Sequence, residues 1–238
     1  RMTADLATTA LQRAIALRPP PLSCIHQSDR GSRRAFRSPF TPSAKESLRM
    51  HSPWTGTAGF LFFATDRFVA VAATMTCGWN FISPTGWCAH TAAPASREWL
   101  IENIDHAMRT SEDLQDTDIF HDCKQRKTLQ ALGLKRNDAL WAEIRKVYKY
   151  RTPANARAST WMVSVSLEKS RNRIQVAAII KRRNGTWESW ESPHTSKRIF
   201  LPLDATAEDI TDATLKMLTL STLWGQTMQE AAANNPET

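Results

Sequence analysis

The chain has 238 residues, 42% of them hydrophobic, which supports one large packed domain or two small ones. Its net charge is +8, with ten Lys/Arg against four Asp/Glu in residues 1–96 and 21 against 19 in residues 97–238, so the basic excess belongs to the first part. Four cysteines (Cys24, Cys77, Cys88, Cys123) without a CxxC pair exclude a secreted disulfide framework, and His121-Asp122-Cys123 lacks a second ligand pair at zinc spacing.

Arg1 rather than Met stands first, as expected of an open upstream end, and no signal peptide follows it. Thr3 to Leu17 reads as a helix, with Thr3 at the cap, Asp5 in the first turn, and Leu6, Ala10, Ala14 and Leu17 on one face. Pro19, Pro20 and Pro21 stop it. Leu22 to His26 reads as a short buried strand, and a polar turn then presents Asp29 beside Arg30 and Gly31. From residue 33 to 58 the chain is rich in Arg, Ser, Pro and Thr with no period of either kind. Arg30, Arg33, Arg34 and Arg37, with Lys45 and Arg49, form a basic cluster that suits nucleic-acid phosphates or a solvated linker. Residues 59–80 are apolar without clean periodicity, with room for a strand in 59–64 or 67–75. Asp66 and Arg67 interrupt that stretch and argue against a membrane span. Pro84, Gly86 and Pro94 break up 81–96, so 34–95 is expected to be irregular.

Regular patterning begins at Ser96. It suits the cap of a helix Arg97–Arg109 with Trp99, Leu100, Ile104, Ala107 and Met108 on one side. Residues 111–122 read as an acidic loop. Lys124–Leu132 reads as a short helix ended by Gly133 at a C-cap, and Asn137 as the cap of another helix to about Tyr148, with 151–158 a linker. A β-meander follows: Trp161–Leu167, then Ile174–Lys181, an Asn184-Gly185 type I′ turn, Thr186–Trp190, and Lys197–Leu201 as a fourth strand. Thr206 caps a final helix, with Asp209 placed for a capping box and Ile210, Ala213, Met217 and Leu218 on its apolar face.

No catalytic constellation appears in the second half: His106, His121 and His194 lack a partner at any familiar spacing. Candidate partner-binding residues are of two kinds. Trp187 and Trp190 stand three apart on a short strand, so one faces the core and the other is free to anchor an interface. Asp116 and Asp118, within the acidic run Glu112, Asp113, Asp116, Asp118 and Asp122, suit a basic partner or a solvated loop.

Two stretches resemble known families. Residues 1–33, with the run Ile25-His26-Gln27-Ser28-Asp29-Arg30-Gly31-Ser32, resemble the integrase-type (DDE) catalytic core of insertion-sequence transposases. That resemblance implies an RNase H-like fold and DNA strand transfer by two Mg²⁺ or Mn²⁺ ions held by three carboxylates, of which Asp29 matches the second. The first carboxylate would precede Arg1, and Thr65 and Asp66 stand where the third, a Glu, is expected. Asp29 is thus orphaned, and the abrupt loss of similarity after Ser32 implies a truncated or frame-shifted transposase gene, with 1–33 a remnant and 34–95 an irregular or frame-shifted segment. The competing expectation is that the chain is the C-terminal part of a working transposase, with DNA as partner.

The stretch TSKRIFLPLDATAEDITDATLKMLTLS resembles the C-terminal part of bacterial contact-dependent growth inhibition immunity proteins, on Ile199, Leu201, Pro202, Asp204, Ala205, Glu208, Ile210 and Leu215. It implies a small cytoplasmic protein that binds a cognate toxin domain, with no enzymatic step, cofactor, small-molecule substrate or membrane partner. The expected architecture is α+β: an antiparallel meander with flanking helices in 96–238, preceded by an irregular 34–95 and a truncated RNase H-like helix–strand fragment in 1–33.

Overall fold

The computed structural model describes residues 57–181, 187–189 and 197–223, together with 54, 226, 227 and 230. All of them belong to a unit that begins at His51. The helix–strand reading of 1–33, and residues 34–53 of the segment expected to be irregular, lie outside the described residues.

From residue 57 onward the irregular expectation is corrected. β1 (Gly59–Ala64) and β2 (Phe68–Cys77) form an antiparallel hairpin in register Phe60↔Ala73 to Ala64↔Val69. Thr65 closes the turn: its Oγ1 accepts from the amides of Arg67 and Phe68, both at 3.0 Å. β3 (Trp79–Ile82) and β4 (Cys88–Ala92) then pair with successive parts of β2. The physical reason for the missing period is burial on both faces. Phe60, Phe62 and Ala64 point to one core, Phe63, Phe68, Ala70 and Ala72 to the other, so neither parity is polar.

The remaining elements are α1 (Arg97–Arg109), β5 (Glu112–Asp113), α2 (Asp118–His121), α3 (Cys123–Val147), α4 (Pro153–Ala158), β6 (Trp161–Glu168), β7 (Arg173–Lys181), β8 (Trp187–Ser189), β9 (Arg198–Pro202), α5 (Ala207–Leu220), β10 (Thr222–Leu223) and β11 (Gln226–Thr227). The result is a mixed α+β fold, with one large and mostly antiparallel sheet between two helical layers. β1 lies in the middle of the sheet, between β2 and β6, and β7 continues it beyond β6. α1 and α5 cover one face through Leu100, Ile104, Met108, Ile210 and Met217. α3 and α4 cover the other through Leu140, Trp141, Ile144 and Ala156.

The capping expectations at Ser96 and Thr206 hold. Ser96 Oγ accepts from the Trp99 amide at 3.2 Å, and Thr206 and Asp209 complete a reciprocal capping box. Other local expectations are corrected. The two short helices are one, α3, because Gly133 is not a C-cap. It is the point where the helix touches β3, and a Cβ there would come within 2.3 Å of Phe81 Cδ2 and 2.8 Å of the Ile82 carbonyl oxygen. Asn137 is a mid-helix residue whose Oδ1 accepts from Trp141 Nε1 at 3.0 Å. The true cap is Asp122, which accepts from the amides of Lys124 and Gln125 at 2.9 and 3.1 Å. The expected linker contains α4, capped by Thr152 with Pro153 in the first turn. Nor is the meander serial: β9 returns to β7 in register Arg173↔Pro202 to Ala177↔Arg198, while β8 takes the other end of β7 at Ile179–Lys181. Among the described residues no helix is long and apolar enough to cross a membrane.

Candidate functional site

Asp29, Arg30, Arg33, Arg34, Arg37 and Trp190 lie outside the described residues. The acidic run is described in full, and most of its charge is used within the fold. Asp113 and Asp116 share the Lys169 ammonium at 2.8 and 3.0 Å, and the Asp113 hydrogen bond, then that of Asp116, raises the pKa of the lysine. Asp113 Oδ1 also accepts from the Gln115 amide at 3.0 Å. Glu112 accepts from Thr85 Oγ1 at 3.1 Å. Asp122 caps α3, and the Gln125 amide chief among its donors holds its carboxyl below the usual range. Asp118, exposed in the first turn of α2, takes part in none of these contacts. The loop 111–122 is therefore strapped to the β6–β7 turn and to α3 by its own carboxylates.

Trp187 packs inward. Its ring lies 5.8 Å from Phe63 and 6.1 Å from Trp141, half-buried against the α3-side core, with Lys181 Nζ 4.6 Å from its centroid.

Two exposed tryptophans were hidden in the stretch that lacked a pattern. Trp79 and Trp87 are 48% and 40% exposed, and both stand on the β3–β4 margin of the sheet. Trp87 is fixed from four sides. Its amide donates to Thr110 Oγ1 at 2.7 Å, its carbonyl accepts from the Ala73 amide at 2.8 Å, its indole N–H donates to Asn103 Oδ1 at 2.9 Å, and the His106 ring stacks on it at 4.8 Å. Asn103 is itself held by donating to the Trp99 carbonyl oxygen at 2.7 Å. Gly86 makes the approach possible, since a Cβ there would meet Ala73 Cβ at 2.7 Å. Trp79 follows Gly78, whose φ of 85° opens the tight turn into β3, and it leans on Phe81 at 5.5 Å. An exposed aromatic with a fixed rotamer loses little entropy on contact, which is the property of an interface anchor. The Gly78-Trp79 and Gly86-Trp87 pairs were the sequence signal for these positions, and only tertiary contacts give them meaning.

The side chains nearest to a catalytic arrangement are Cys88, His90, Glu143 and Tyr148. Cys88 and His90 share one face of β4. His90 Nδ1 is 2.9 Å from the Tyr148 hydroxyl, and Nε2 is 3.4 Å from Glu143. Burial pushes the Cys88 thiol up to about 11, so it is held protonated and is a poor nucleophile. Among the described residues no group of three or more His, Cys, Asp or Glu could hold a metal ion.

A family model described as CdiI, the CDI immunity protein, matches residues 60–221, from the second residue of β1 to the end of α5. The chain belongs to the CDI immunity protein family. The matched region takes in the strands of the middle segment as well as the meander and the Leu201-Pro202…Asp204-Ala205 turn. Two solved structures have similar folds. One is a CdiA-CT/CdiI toxin and immunity complex from Yersinia pseudotuberculosis, 15% identical, with a TM-score of 0.55 over 70% of this chain and 98% of that one. The other is a protein of unknown function from Neisseria meningitidis, 14% identical, with a TM-score of 0.53 over 69% of this chain and 95% of that one. A comparison with curated proteins returned no match. The DNA-acting expectation for residues 1–33 gains no support from these comparisons, whose family match begins at residue 60.

Proposed function

We propose that this chain is a binding protein of the bacterial cytoplasm that neutralises a cognate CDI toxin domain by occupying its surface, without a chemical step. Membership of the CDI immunity family across residues 60–221 carries the reading. The fold adds physical support, because Trp87 is an exposed aromatic already fixed by its hydrogen bonds, with little left to order on binding, and Trp79 is a second exposed aromatic on the same margin. Asp118 supplies an exposed carboxylate on α2, and Asp116 remains a second candidate contact. Trp187 enters as a support for the sheet rather than as an anchor, and Trp190 keeps its place as a candidate contact. The test is to titrate the purified chain with the toxin domain encoded beside its gene and to express the pair together in a sensitive strain. Tight association and restored growth are expected; failure of both refutes the proposal.

Residues 1–33 receive a separate reading as a transposase remnant, carried by the run MTADLATTALQRAI, the strand-like stretch after it and IHQSDRGS. Translating the surrounding DNA in its other frames tests it: transposase sequence continuing opposite residues 34–58 is expected. Metal-dependent strand transfer abolished by Asp29→Asn would instead establish the enzyme.

A further inference from the structure

Charge is segregated between the two helical layers. α1 and α5 together carry six Asp/Glu against three Lys/Arg, whereas residues 123–158, from α3 to α4, carry ten Lys/Arg against two. Both of those two carboxylates are engaged: Asp138 pairs with Arg157 at 2.8 Å, and Glu143 lies 3.4 Å from His90. None of the ion pairs among the described residues draws on Lys124, Lys127 or Lys135.

These three lysines share the outer side of the first half of α3. The inner side is set by Gln130, which donates to the Cys77 carbonyl oxygen at 3.0 Å, and by Gly133 against β3. Opposite, Cys123, Lys124, Lys127, Thr128, Ala131, Leu132 and Lys135 line a shallow concavity of about 730 Å³. Its floor is apolar, with Leu132 47% exposed, and its rim is cationic.

We propose that this outer face of α3 is the docking surface for an acidic segment of the toxin domain that also presents apolar side chains. The inference rests on the immunity reading above and adds the site and its chemistry. Charge complementarity selects an acidic occupant, since seven Lys/Arg and two Asp/Glu stand on α3 and the two are already engaged. The apolar floor selects protein over nucleic acid: a phosphate backbone would satisfy the lysines but leave Ala131 and Leu132 without a complement.

The experiment compares the native chain with Lys124→Glu/Lys127→Glu/Lys135→Glu and, as a control on the opposite layer, Lys216→Glu. Unfolding midpoints confirm that each variant is folded, and calorimetry measures affinity for the toxin domain encoded beside the gene. The triple variant is expected to bind at least about tenfold more weakly and to lose most of the salt dependence of the native chain, while Lys216→Glu binds as the native chain does. A second variant, Lys124→Gln/Lys127→Gln/Lys135→Gln, should lie between the two. If the native chain binds and the triple variant binds equally well, the docking assignment is wrong and the immunity reading stands. If the native chain does not bind, both fall. A lysine-dependent change in oligomeric state with unchanged toxin affinity would give the surface to a second copy's acidic layer, and lysine-dependent binding of a labelled DNA duplex with unchanged toxin affinity would give it to nucleic acid. Either result overturns the proposal.

Discussion

Lys181 ends β7 only 4% exposed, its ammonium donating to the Arg157 carbonyl oxygen and lying over the Trp187 ring. Burial first, and the Arg157 charge second, lower its pKa from 10.5 to about 8. The unfolded chain keeps this proton up to about pH 10.5, whereas the folded chain releases it above about 8, so unfolding takes up a proton in between and stability rises with pH. Between pH 8 and 9 the gain is expected to be about 1 kcal/mol, read from denaturant unfolding at the two values. Lys181→Met should flatten that rise. From pH 9 upward Cys88 opposes that rise. Its folded thiol holds its proton to about 11 against 9.0 unfolded, so its contribution is complete below 9 and lost between 9 and 11. Cys88→Ala should let the rise continue above pH 9. Neither group could be singled out from the sequence. Lys181 reads there as the polar end of a strand, and only α4 closing over the strand end makes it buried. The spacing of Trp187 to Trp190 did not say which of the two faces inward, and the packing of Trp187 against Phe63 and Trp141 depends on residues far from it in sequence.

Elements whose instructions are local were legible, and those that depend on a distant partner were not. The capping box of α5 needs only residues three apart. Thr206→Ala removes the acceptor for the Asp209 amide at 3.1 Å and the donor to its carboxylate, and should cost about 1 kcal/mol in thermal or urea unfolding. Gly133 is the opposite case. A glycine after a helical run signals a C-cap when only the run is considered, but here the helix passes through it. Gly133→Ala improves intrinsic helix propensity by about 1 kcal/mol, so a local view predicts stabilisation. The contact with Phe81 and the Ile82 backbone predicts the reverse. A net loss of about 1–3 kcal/mol is expected, because the helix must move away from β3 to admit the methyl group. Urea unfolding of this one variant decides between the two views. The β1–β2 hairpin was legible only as room for a strand in 59–64 or 67–75, for the same reason: a strand covered on both faces has no polar parity to display.

At the scale of the molecule, the decisive fact is where the sheet has its centre. The sequence places the patterned half in 96–238, and that half contains most of the helices and every strand after β4. Yet β1 stands between β2 and β6, paired with one in register Phe60↔Ala73 to Ala64↔Val69 and with the other from Gly59↔Ser166 to Ala64↔Trp161. Phe60, Phe62, Phe63, Phe68 and Val71, all nearly inaccessible to solvent, come from this first hairpin and fill both cores. Trp54 extends the same dependence upstream, because its indole N–H donates to the Ala205 carbonyl oxygen at 2.9 Å, in the turn before α5. A fragment of residues 96–238 would therefore expose one edge of β6 and strip α1, α3 and α5 of the sheet residues they cover. It is expected to show no cooperative thermal transition by circular dichroism and to bind no toxin. A fragment of residues 51–238 should unfold cooperatively and retain the binding of the full chain. A cooperative transition in 96–238 with retained binding would mean that the second half builds its own core, and that the first hairpin is an addition to the fold rather than its middle.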